Sequence, residues 1–266
     1  MGYEVVADVG LSTLYEPSQE EPIVDIVFVH GLQGHPKRTW TKHIGYESSK
    51  SEQTGTYKRR WRQRLSIRPK EGAGNEHLIE KRSSEVFWPA DLLPRDCSSA
   101  RILTFGYDSA VANFFGDAVS QNNVSAHAKD LLFALTRYRK TCRSRPLMLV
   151  AHSLGGIVVK ESLRRAEIAE DAELKDFQSS LRAIVFLGTP HRGSGYAQIG
   201  DVLRRVAAVT GMDTNDRNLH TLRYDSSELE MAREEFTRQW RRGRFTVKTF
   251  QEAKGLKGLQ GLNEKV

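Results

Sequence analysis

The sequence is poor in cysteine, in proline and in long apolar runs. Cys97 and Cys142 are the two cysteines in 266 residues. Two thiols make neither a disulfide framework nor a metal-ligand cluster, which points to a reducing, intracellular setting. No cofactor and no metal ion are expected. No apolar stretch approaches the ~20 residues of a membrane span, and the N-terminus lacks the apolar core of a secretion signal. Met1-Gly2 opens like a myristoylation signal, but Val6 stands where Ser or Thr is required.

Acidity is also in short supply, though unevenly. The formal charge is +7, and residues 41–84 hold eleven Lys/Arg against five Glu, a net +6. The basicity therefore belongs to one segment, in which hydrophobic periodicity disappears. Tyr57–Arg64 interleaves aromatic and basic residues, and Glu71–Asn75 reads as loop. So long a structureless stretch inside a compact domain is either a lid or a solvated insertion. One reading gives it a phosphate-bearing partner such as an anionic membrane surface. The preferred reading is a bland insertion, and no nucleic-acid partner is expected because no recognised motif is present.

What the chain does contain is a sharp strand-to-helix corner. Leu147–Ala151 is a short apolar run with Pro146 leading in, and it ends at His152-Ser153-Leu154-Gly155-Gly156. Ile157-Val158-Val159 then opens a helical pattern. A serine at such a corner, with small residues on both sides, reads as a nucleophile elbow. Ser153 would hold strained backbone so that its hydroxyl projects above the sheet, and Ala151 stands in for the first glycine of G-x-S-x-G. Glycine corners of this kind also occur without any chemistry, so the pentapeptide alone leaves both readings open.

The length suits one large α/β domain. Gly10–Tyr15, Ile23–His30, Arg101–Tyr107, Leu181–Leu187 and Arg244–Phe250 read as further strands. Helices are expected near Phe87–Pro94, from Asn123 or Ser125 through Arg139, over Glu167–Phe177, Tyr196–Val209 and Ser226–Trp240. Alternation without repeats predicts a mostly parallel sheet with helices on both faces. His30-Gly31-Leu32-Gln33-Gly34-His35 follows the most apolar strand, the usual setting for an oxyanion loop. Taken alone, the loop reads rather as a simple glycine turn, with His30 and His35 bonding to backbone.

Taken together, Val24–Leu32, Trp40, the run AHSLGGIVVK from Ala151 and the run FLGTPHRGS from Phe186 resemble the α/β-hydrolase domain of the serine active site-containing protein family. That lipase-like domain is also common at the N-terminus of fungal NACHT, NB-ARC, ankyrin and TPR proteins. The resemblance implies an α/β-hydrolase fold over residues 1–266 with an insertion at about 41–84. It also implies a serine esterase or lipase acting on a small-molecule or lipid acyl ester. Ser153 would be the nucleophile, the N–H groups of Leu32 and Leu154 the oxyanion hole, and Glu252 the acid. His30, Gly31, Gly34, His152 and His191 would surround the oxyanion loop and pocket. The family's base is a histidine one strand further on, and none follows Glu252 here, so the final strand and helix are expected to be missing. His191 is then the one substitute, His220 also preceding the acid. An open edge at Thr246–Phe250 would recruit a partner. The family's animal members imply a place at mitochondria or the endoplasmic reticulum membrane. The competing expectation is a catalytically weak signalling or binding module of a larger NLR-like protein.

Overall fold

The computed structural model describes residues 5–44, 84–109, 120–191 and 226–251. Met1–Thr41 with Phe87–Val266 forms one compact unit, and Lys42–Val86 a second. In chain order, β1 is Gly10–Tyr15, β2 is Val24–Val29, and a 3-10 turn spans Arg38–Trp40. β3 (Thr41–Ile44) and β4 (Ser84–Phe87) pair in a small two-stranded sheet of their own. The first of these strands begins where the sequence pattern reads as structureless; four residues are too few for alternation to register.

The larger unit continues with α1 (Trp88–Asp91), α2 (Leu93–Asp96), β5 (Ala100–Gly106), α3 (Ser120–Tyr138), β6 (Leu147–His152) and α4 (Gly155–Ile168). It ends with α5 (Ala172–Ser180), β7 (Leu181–Leu187), α6 (Ser226–Arg241) and β8 (Thr246–Phe250). The expected single helix after Phe87 is two one-turn pieces. Pro94 has no N–H to continue the first, and instead occupies the opening turn of the second. Helix α3 starts before Asn123 and Ser125, so neither is a cap, and the Ser125 hydroxyl accepts the Arg165 guanidinium. The elbow helix takes in Glu167, and Asp171 restarts the chain as α5 by accepting the Glu173 N–H at 2.7 Å. The helix expected over 196–209 lies outside the described residues.

The six main strands lie in the order β1-β5-β2-β6-β7-β8. Only β1 runs antiparallel to its neighbour; the others are parallel. This is the mostly parallel sheet of an α/β-hydrolase fold. Alternation along β2 builds two cores. Val27 and Val29 point to the face covered by Leu131, Leu135, Val158 and Leu163. Ile26 and Phe28 join Trp40, Phe87 and Val150 on the other. Among the described residues β8 forms one edge, with Thr246, Lys248, Thr249 and Phe250 exposed.

Asp25 interrupts the apolar run of β2 for a structural reason. It is fully buried and stands in register with Arg101 on β5. Arg101 grips both carboxylate oxygens, Nε at 2.9 Å and Nη2 at 3.0 Å. Arg139 also donates to the carboxylate, and Arg145 approaches to 3.4 Å. Glu16 and Glu21 lie 3.8 and 4.0 Å from Arg101 and Arg145. A buried carboxylate stripped of these cations would be far costlier than the pairs are favourable. The cluster ties β2, β5 and the end of α3 together at the end of the sheet opposite the elbow.

Candidate active site

At the end of β6 the backbone reverses at a single residue. Ser153 has φ +51°, a left-handed value that costs a non-glycine residue roughly 1–3 kcal/mol. The surroundings hold it there. The Ser153 N–H donates to the Leu187 carbonyl at 2.8 Å, and its own carbonyl accepts from Gly156 N–H at 3.1 Å. Helix α4 then starts at once. Gly155 is required because a Cβ there would lie 2.2 Å from the His30 carbonyl oxygen. The clash is with the neighbouring strand end, not across the turn itself.

The loop after β2 meets this corner face to face. A Cβ on Gly31 would lie 2.8 Å from the Ser153 Cβ and 3.3 Å from the Leu154 nitrogen. Within the loop, Gln33 N–H donates to the Ser109 carbonyl at 2.8 Å and Gly34 N–H to the Gly31 carbonyl at 3.0 Å. The Ser109 hydroxyl donates to the Gly34 carbonyl at 3.0 Å. Those bonds engage the amides of Gln33 and Gly34. The N–H groups of Leu32 and Leu154 have no acceptor among the described residues.

His30 locks the loop from beneath. Its Nδ1–H donates to the Gly31 carbonyl at 3.0 Å, and its Nε2 accepts Tyr107 N–H at 3.3 Å. Tyr107 returns its hydroxyl to the His30 carbonyl at 2.7 Å and stacks on the ring at 4.3 Å. Both nitrogens are occupied in a neutral ring, and burial pushes its pKa down to about 4. His35 accepts Lys37 N–H at its Nδ1 (3.0 Å) and turns Nε2 to Asp8. The ring of His152 packs edge-on to Trp40. His191 accepts the Lys160 ammonium at Nδ1, 3.1 Å away, and burial, then the nearby Lys160 charge, lower its pKa to about 4.

The structure thus brings Gly31, Ser153 and Leu154 together, with Leu32 next to Gly31 in the chain and His30 and Gly34 bonded within the same loop. His191 is directed to Lys160, and Glu252 and His220 lie outside the described residues. Tyr107 and Ser109, which brace the loop, went unassigned in the sequence reading. Their signal is their place directly after the strand next to β2. No group of three or more potential metal-binding side chains occurs among the described residues, and no described helix is long and apolar enough to cross a membrane.

No family model matches the chain. Its similarity is to SERAC1. Protein SERAC1 of Mus musculus is 25% identical over 180 residues, covering 67% of this chain and 23% of that protein. The Homo sapiens protein is 26% identical over 191 residues, 69% of this chain and 24% of its own length. The chain therefore spans about a quarter of SERAC1, and the relationship is distant. Among solved structures, Bacillus licheniformis lipase BlEst2 aligns with TM-score 0.49 and 17% identity, over 94% of this chain and 74% of that one. A lipase-esterase related protein from Clostridium acetobutylicum aligns at 0.39 and 10%, over 93% and 92%. Scores this low add nothing to the strand order and the elbow already described. Neither they nor SERAC1 assigns a role to a residue.

Proposed function

We propose that the chain is a serine hydrolase of the esterase or lipase class, acting on acyl esters. The observation that carries this reading is the left-handed Ser153 facing Gly31, with the Leu154 nitrogen at the same gap. In the reaction, Ser153 Oγ adds to the acyl carbonyl carbon and its proton passes to a base. The carbonyl oxygen takes up the negative charge between Leu32 N–H and Leu154 N–H. Collapse expels the alcohol, which takes the proton, and water then hydrolyses the acyl-serine by the same path in reverse. One such donor is worth about 2.7–4 kcal/mol in transition-state stabilisation. Glu252 is assigned as the acid that orients the base, on family resemblance. His30 and His191 are not assigned as base, because the acceptor nitrogen of each is already engaged.

The test is hydrolysis of p-nitrophenyl esters from acetate to palmitate by the wild type and Ser153→Ala. Turnover that disappears in the variant supports the reading; equal rates, or none in either protein, contradict it. A lipid substrate would bring the basic 41–84 segment to an anionic surface. Vesicle binding should then weaken steeply between ~50 and 200 mM salt.

A further inference from the structure

Lys160 lies in the second turn of the helix that begins at the elbow, and it is 6% exposed. Its ammonium sits 5.4 Å from the ring centre of Phe186 and 5.3 Å from that of Phe236. No carboxylate pairs with it among the described residues; the adjacent Glu161 is taken by Arg164 and Arg165. Among the described residues, the charge that acts on it is that of Arg233, also a cation. A methionine would fill the same volume without burying an unmatched charge, which is the cheaper arrangement. Among the described residues, the one polar group the ammonium reaches is His191 Nδ1.

That contact fixes the imidazole. An ammonium can only donate, so Nδ1 must be the acceptor and Nε2 must carry the proton. Nε2–H then faces Thr249 Oγ1 on β8 at 3.4 Å, and the ring lies edge-on to Phe186. The loop 188–191 is thereby held at two points one turn apart on α4. At the first, Thr189 is packed so closely that a Cβ on Gly156 would lie 2.4 Å from its hydroxyl. At the second, His191 meets Lys160. At its root, the Gly188 N–H donates to the Phe250 carbonyl at 2.8 Å.

We propose that Lys160 is a positioning residue: its ammonium fixes the His191 ring and so holds the 188–191 loop against the helix that presents Ser153. The effect on acyl transfer rests on the hydrolase reading; the effect on the loop does not.

The experiment compares wild type, Lys160→Met, His191→Ala and the double variant. Ring nitrogen shifts should report His191 as the Nε2–H tautomer in the wild type and a mixed population in Lys160→Met. Hydrogen exchange at the Thr189 and His191 amides should accelerate at least about tenfold in either single variant, with the central strands unchanged. The melting temperature of Lys160→Met should be equal to or above wild type. Reaction with a fluorophosphonate should slow by about 10- to 100-fold, the scale of a displaced catalytic frame, with no further loss in the double variant. An Nδ1–H tautomer in the wild type overturns the proposal, whether or not any variant folds. So does unchanged loop exchange, or loosening spread evenly over the sheet. If the wild type itself is not labelled, the hydrolase reading falls, while tautomer and exchange still decide the role of Lys160.

Discussion

Adding one methyl group at position 31 tests whether the loop after β2 and the elbow form a single functional gap. Gly31 does not occupy the left-handed region, so alanine is allowed there and space is the only obstacle. The new Cβ would be 2.8 Å from the Ser153 Cβ and 2.8 Å from the His152 carbonyl oxygen. Carbon atoms rest at about 3.5–4.0 Å, so the two segments must separate by about 1 Å. Neither obstacle is a side-chain tip that can swing aside. Overpacking of this kind costs about 1–3 kcal/mol, and each kcal/mol lowers the melting temperature by roughly 2–4 °C in a domain of this size. The same displacement carries Leu32 N–H out of reach of the developing oxyanion. Losing one such donor costs about 10²–10³ in rate. Gly31→Ala should therefore remain folded, with a modestly lower melting point, and lose at least about a hundredfold in ester turnover. Gly31→Ala turning over within threefold of wild type would refute the shared gap.

Ser153→Gly should abolish labelling and raise stability by about 1 kcal/mol, because glycine adopts φ +51° without strain; thermal melting checks it. Asp25→Asn leaves Arg101 and Arg139 buried beside a neutral group and should cost about 3–5 kcal/mol in urea unfolding, while Glu21→Gln, at the exposed rim, should cost under about 1. Acid should weaken the fold through His30. Its folded pKa lies near 4 against 6.5 unfolded, so its neutral form is no burden above pH 6.5. Below that the unfolded chain binds the proton first, and stability falls by about 3 kcal/mol as the pH reaches 4. His191 shifts in the same direction, so unfolding of His30→Asn at pH 7 and pH 4.5 isolates the His30 share.

Where an element's pattern was long or its chemistry local, the sequence made it legible. β1 and β7 have the bounds their apolar alternation indicates, and the corner at Ser153 was marked by glycines on its helical side. What stayed hidden was set by partners distant in the chain. Asp25 looked like a flaw in a strand because Arg101, Arg139 and Arg145 are 76 to 120 residues away. His30 reads from the sequence as a loop-closing residue that bonds backbone, but that Tyr107 occupies its second nitrogen is set by a residue 77 positions away. Periodicity also counted Lys160 as a helix residue without reporting that its charge is buried. The helix bounds failed where a cap decided them: Asp171, not the acidic run, sets where α5 begins.

The most direct measurement of the central claim is covalent capture of Ser153. Intact-protein mass spectrometry after exposure to a fluorophosphonate, followed by peptide mapping, should find one adduct on the peptide carrying Ser153 and none in Ser153→Ala. An adduct on another residue, or equal labelling of the variant, would contradict the assignment of Ser153 as the nucleophile.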